Sequence, residues 1–167
     1  MNTRRNNSNS KKQAGFSLIE LLIVVAIILI IAAIAIPNYL RSRMAANESS
    51  AVGSMRTLTT ALISYQSQCP TLGYPAGMAN LGPGAGDCTA ANLVQDTLSV
   101  APNIKAGYAF VYTPGGGTPV STYTLTGAPV TCNASGIRSF FAAEDAVIHY
   151  TDQPSCPGAT AADSALQ

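Results

Sequence analysis

Between Phe16 and Ile36 the chain runs for 21 residues in which only Ser17 and Glu20 are polar. As a helix this run rises about 31 Å at ~1.5 Å per residue, enough to cross a bilayer. A carboxylate inside a membrane span costs about 2.5 kcal/mol or more, so an acid there is by default a functional group with a partner. A plain anchor has no use for Glu20. An assembling subunit does: a cut after Gly15 would create an ammonium on Phe16 one helical turn from Glu20, and a neighbouring copy could offer its own ammonium to that carboxylate.

The segment in front of the run points the same way. Residues 1–15 hold Arg4, Arg5, Lys11 and Lys12, six Asn or Ser residues and no acid. Cytoplasmic flanks carry Lys and Arg, so this leader is expected to stay inside while the C-terminal part crosses. A secretory signal places its small-residue cleavage site after the apolar stretch, whereas Ala14-Gly15 precedes it here. Cleavage at this point leaves the apolar helix on the mature protein, as a polymer with helices packed in its core requires.

Gly15-Phe16-Ser17-Leu18-Ile19-Glu20-Leu21-Leu22-Ile23-Val24-Val25, followed by Ile36-Pro37-Asn38-Tyr39, resembles the processing signal and N-terminal helix of the type IV prepilins and related pseudopilins. The pattern is specific, because a glycine, a following aromatic, an acid four residues later and a proline closing the apolar run must coincide. The likeness covers about residues 11 to 68; beyond it only the architecture is similar. It implies cleavage between Gly15 and Phe16, N-methylation of Phe16, and assembly of a homopolymer in which Glu20 and Pro37 take part. It also implies a prepilin peptidase, a platform protein and an assembly ATPase as partners. The implied location is the inner membrane for the precursor, then an extracellular pilus, or the periplasm for a pseudopilin. The chain departs from the pattern in its leader, longer than in many members, and in having no second proline further along the helix. No C-terminal repeat of calcium-binding acids stands out either, which weighs against a major pseudopilin.

Loss of the leader changes the charge balance. Nine basic and eight acidic side chains become five against eight, a net −3 for residues 16–167 with His149 neutral. A generic nucleic-acid binder would show a basic patch or stripe instead, so no specific nucleic-acid binding is expected. Arg41, Arg43 and Arg56 form at most a local patch, and cations just beyond a span commonly sit at headgroup level.

Beyond Pro37 the pattern turns amphipathic. Ala51, Met55, Leu58, Leu62 and Tyr65 recur at spacings of three and four, which aligns them along one helix face. One helix is therefore expected from about Phe16 to Ser67, apolar all round in its first half and docked by one face in its second. Pro37 removes a backbone hydrogen bond and should kink or loosen the preceding turn, and Gly53 weakens the helix further. The resemblance implies that the turn before this proline can unwind in the filament.

Nine of the ten prolines and twelve of the fourteen glycines follow Cys69, so the helix should stop at Cys69-Pro70. Residues 70–104 read as a loop-rich connection with one short helix around 92–99. Strand-like pieces follow at Gly107 to Thr113, Ser121 to Thr126, Ile137 to Ala142 and Ala146 to Tyr150, separated by Pro114-Gly115-Gly116-Gly117 and by Ala143-Glu144-Asp145. The expected fold class is α+β and pilin-like: a long N-terminal helix packed against a small antiparallel sheet. Its parts are a cleaved leader (1–15), a hydrophobic helix (16–36), the amphipathic half of that helix (37–68) and a globular extracytoplasmic domain (69–167). The Ala, Ser and Gly-rich tail from Pro157 is expected to be mobile.

Cys69, Cys88, Cys132 and Cys156 all lie on the side that crosses, where an even number of cysteines suggests disulfides. Three pairings are open to four cysteines. Cys69 with Cys88 and Cys132 with Cys156 are expected, because they close the loop after the helix and the C-terminal loop separately. No two cysteines have the short spacing of a metal clip and His149 is alone, so neither a metal nor another cofactor is expected.

No catalytic constellation is apparent. Glu144-Asp145 reads as a solvated turn, His149 as a strand histidine, and Gly115 to Gly117 as a loop lacking the Lys-Ser/Thr of a phosphate cradle. Asn47-Glu48-Ser49 and Asn133-Ala134-Ser135 match the short glycan-acceptor pattern. Phe16, Tyr39 and Tyr65 are candidates for a filament interior, with ordinary packing the default account. The expected function is thus a non-enzymatic pilus subunit. The alternatives are a type II secretion pseudopilin and a bitopic membrane protein with an extracytoplasmic binding domain, the last disfavoured by Gly15 and Glu20.

Overall fold

The computed structural model describes residues 16–153 and 155–166. Its longest element is helix α1, Leu18–Gln68, which continues through Pro37 without a break in its assignment. Proline has no N–H, so the Ala33 carbonyl loses its usual partner there. The described residues group into two units, divided between Asn38 and Tyr39.

The first unit holds the apolar part of α1. Its best 18-residue window has a mean hydropathy of 3.3 and none of it is buried within the subunit. Side chains from Leu18 to Ile31 lie open on every face of the helix. A helix apolar all round is stable only when something else covers it, either lipid or other helices.

The second unit begins at Tyr39 and contains the rest of α1. Its six-stranded sheet comprises β1 Ile104–Lys105, β2 Tyr108–Pro114, β3 Tyr123–Pro129, β4 Ser139–Ala143, β5 His149–Thr151 and β6 Ser164–Ala165. The strands stand in chain order and every neighbouring pair is antiparallel. Between helix and sheet lie a 3-10 turn at Met78–Leu81 and a short helix α2, Asp96–Ser99.

The core forms where the amphipathic face meets the inner side of the sheet. Ala51, Met55, Leu58, Leu62 and Tyr65 are all buried, and they face Tyr108, Phe110, Tyr123, Leu125, Phe140 and Ala142 from alternate positions of β2, β3 and β4. Covering each Leu- or Phe-sized side chain contributes about 1.5–3 kcal/mol. Gly127 leaves little room between the layers. A Cβ there would come within 3.2 Å of the Phe110 ring and 3.3 Å of Met55 Sδ.

The strands differ from their expected limits in instructive ways. β3 runs on to Pro129 because Gly127, a poor strand former, is held by packing on Met55 and Phe110. β5 starts only at His149 because Ala146 adopts a left-handed backbone, φ 59°, and extends the turn after β4. The tail is not loose throughout. Ser164 and Ala165 pair with β5, and the Leu166 N–H donates to the Ile148 carbonyl at 2.6 Å. Asp163 prepares that return by accepting hydrogen bonds from the Thr160 N–H and hydroxyl.

Candidate functional site

The start of α1 is the chemically unusual place in the molecule. Phe16 precedes the helix with its side chain 80% exposed. The Ser17 N–H donates to Glu20 Oε2 at 2.9 Å, while the Ser17 carbonyl accepts from the Leu21 N–H. This is the carboxylate arm of a capping box, in which an acid three residues into the helix returns to an orphan N–H at its start. The rarity of an acid in an apolar run hides this role in the sequence, although Ser-x-x-Glu ahead of such a run is its signature.

Capping leaves Glu20 with spare capacity. A carboxylate has about four acceptor positions on two oxygens, and Ser17 occupies one of them. The group is therefore held in place while remaining able to accept an ammonium. Gly15, the residue before the expected cut, lies outside the described residues. Pro37 lies far along the helix from Glu20, so the sites expected to serve processing and assembly form no cluster.

In the second unit α1 is fastened by polar contacts at both ends of its buried stretch, to the segment just before β4 and to the loop that carries Cys88. Asn47 Nδ2 donates to the Ser135 carbonyl at 2.8 Å, and Glu48 Oε1 accepts from the N–H groups of Ile137 and Arg138 at 2.9 and 3.2 Å. Arg138 Nε lies 3.9 Å from Glu48 Oε2, and its guanidinium sits 5.1 Å from the Tyr150 ring centroid. At the other end the Tyr65 hydroxyl donates to the Cys88 carbonyl at 2.6 Å. Tyr65 is 2% exposed, so it belongs to the subunit's own core and not to a filament interior. Tyr39, by contrast, is 65% exposed.

The cysteines pair as Cys69–Cys88 and Cys132–Cys156, each with Cα atoms 5.9 Å apart. The first bond anchors the residue immediately after α1. Asp87, next to Cys88, is held below the usual carboxylate range by hydrogen bonds from the Thr89 hydroxyl and from the Thr89 and Ala90 N–H groups.

The remaining candidates have structural surroundings. Glu144 and Asp145 occupy the exposed turn between β4 and β5, where Asp145 Oδ1 accepts from the Val147 N–H. His149 Nδ1 lies 2.8 Å from the Asp163 carbonyl and Nε2 lies 4.0 Å from Asp145 Oδ2. Gly115 to Gly117 lie in the loop between β2 and β3. Asn47 sits on α1 with its amide engaged, and Asn133 has a left-handed backbone in a turn. Among the described residues no group of three or more His, Cys, Asp or Glu side chains could hold a metal ion.

The match to a known family falls on the same end of the chain. Residues 10–36 match the family model described as the prokaryotic N-terminal methylation motif. The chain is also 47% identical over 57 residues to the type IV major pilin protein PilA of Myxococcus xanthus (strain DK1622). That match spans 34% of this chain and about a quarter, 26%, of the relative's length. No solved structure matches. The chain thus carries an N-terminal methylation motif on a pilin-like α+β fold of one long helix and a six-stranded antiparallel sheet.

Proposed function

We propose that the chain is the precursor of a structural, non-enzymatic subunit of a type IV pilus, built on the methylation motif at residues 10–36. The precursor inserts in the inner membrane, a prepilin peptidase cuts after Gly15, and Phe16 becomes N-methylated. A platform protein and an assembly ATPase then move the subunit into an extracellular homopolymer held by its apolar helix.

The observation that carries this reading is the wholly uncovered apolar helix that makes up most of that motif. Lipid covers it before assembly and neighbouring helices cover it afterwards, so the same face serves both states. Glu20 then distinguishes them. In the filament its carboxylate meets a Phe16 ammonium on the same or an adjacent subunit, and the pair favours one axial register among many that apolar helices could adopt. The two disulfides suit a domain exposed outside the cell.

The test is to shear cells that make the full chain, collect the released filaments and determine the subunit's mass and N-terminal sequence. A subunit beginning at methylated Phe16 is expected. Absence of the chain from sheared filaments, with cleaved chain retained in the membrane, would refute the reading.

A further inference from the structure

Charge is distributed unevenly along the second unit. Arg41 and Arg43 are exposed on α1 near the beginning of this unit, and among the described residues neither pairs with a carboxylate. After Arg56 the helix carries no basic residue, and none stands in its last turn. Its C-terminal carbonyls therefore add negative potential with no cation on the helix to offset it.

Glu144, Asp145 and Asp87 lie toward that end. Arg138, just before β4, sits beside Glu48, while Phe140 pairs with Gly127, where a Cβ would meet Met55 Sδ. β4 therefore follows α1 in the same direction, and three further residues bring it to the exposed Glu144-Asp145 turn. At ~3.3 Å per strand residue and ~1.5 Å per helix residue, this turn stands roughly 30 Å along the helix from Arg43. Asp87, exposed beside the Cys69–Cys88 bond, adds a further negative charge at the same end. Between the two regions the charges are mixed: Arg56, Lys105, Asp96, Asp152 and the Glu48–Arg138 pair.

We propose that Arg41 with Arg43, and Glu144 with Asp145, are complementary halves of one subunit contact, through which a second copy of the chain docks head to tail. The inference rests on the polymer reading above. Two unlike surfaces on one molecule make a heterologous contact, and such a contact repeats along an open helical array when its rotation does not close a ring. A copy shifted along the helix direction by about the separation of the two regions brings each cation pair to its neighbour's acids. A shift that aligns like regions sets cation against cation and is disfavoured. Apolar helices alone do not discriminate in this way.

The test uses cells in which the full chain is the sole subunit, with sheared filaments counted against the amount of cleaved chain in the membrane. Arg41→Glu with Arg43→Glu, and separately Glu144→Lys with Asp145→Lys, should each lower filament yield by about tenfold or more, because like charges then face each other. The four changes together should restore most of the yield. As a second measurement on filaments that retain the native charges, Arg43→Lys followed by carbodiimide treatment should give a zero-length cross-link from position 43 to Glu144 or Asp145 of another subunit. Normal yield from either reversal alone overturns the proposal, as does a cross-linked ladder lacking that joined peptide. If the unmodified chain forms no filaments, the polymer reading itself falls; if it forms them and the reversals leave the yield normal, this contact alone falls.

Discussion

The Glu20 carboxylate reaches back one helical turn to the Ser17 N–H, 2.9 Å away, and so is engaged before any neighbouring subunit arrives. Its two tasks can be separated by substitution. Glu20→Gln keeps an acceptor for the Ser17 N–H but removes the charge, whereas Glu20→Ala removes both. Both variants should insert and be cleaved at near wild-type levels, and both should fail to give filaments in sheared fractions viewed by electron microscopy. Abundant filaments from the glutamine chain would show that the cap is what matters and the charge is dispensable.

Processing depends on the residue before the cut. A Cβ-free residue lets a protease reach the backbone closely, so Gly15→Val should leave full-length precursor in the membrane. Intact mass distinguishes the outcomes, and a product beginning at Phe16 from the valine chain would remove Gly15 from this role.

The disulfides close loops with sequence separations of 19 and 24 residues. Constraining the unfolded chain over such loops is worth about 3 kcal/mol each. Replacing Cys69 and Cys88 together by alanine should therefore lower the guanidinium midpoint of the full chain in detergent, followed by tyrosine emission because the chain has no Trp. A midpoint unchanged from wild type would contradict a structural role for this bond.

Glu48 is the polar link between α1 and the start of β4. Glu48→Ala leaves the Ile137 and Arg138 N–H groups without their acceptor, at a cost of about 1–3 kcal/mol. Glu48→Gln, which keeps one acceptor oxygen, should lose less. Equal losses in the same unfolding measurement would mean that the charge, and not the hydrogen bonds, holds the strand.

Alkaline pH offers a further probe of the core. Burial pushes the phenols of Tyr108, Tyr112 and Tyr123 well above their ordinary value of 10.0. The folded state thus holds these protons more tightly than the unfolded chain. Their contribution is complete below about pH 10 and is lost as pH rises through and beyond that value. Tyrosinate absorbance should show a subset of tyrosines ionising only as the fold opens. Ionisation of all seven tyrosines together near pH 10, with the fold intact, would contradict the buried assignment.

Much of this arrangement was legible because long periodic signals leave few alternatives. The apolar run and the spacing from Ala51 to Tyr65 define α1 and its buried face, and a change in Pro and Gly content marks its end. Short elements escaped for a physical reason. Two residues, as in β1 and β6, cannot display alternation, and their pairing is determined by neighbours distant in sequence. Ser164 and Ala165 belong to a strand because Asp163 turns the chain and β5 offers an edge, not because of their own preferences. Tyr65 was ambiguous for a related reason: a helix face predicts burial, but only the folded loop supplies the Cys88 carbonyl for its hydroxyl. At Glu20 an acid in an apolar run implies a partner from another chain, whereas the folded helix supplies one locally in the Ser17 N–H.

The covalent topology has a consequence for wear outside the cell. Cys69–Cys88 and Cys132–Cys156 close the two segments between their cysteines into rings that do not overlap in sequence. A protease that cuts one peptide bond within either ring opens the backbone but releases nothing, because both new ends remain joined through sulfur. A filament built from this chain could therefore take one nick in each ring and still keep the cut ends of every subunit joined, until the surroundings reduce its disulfides.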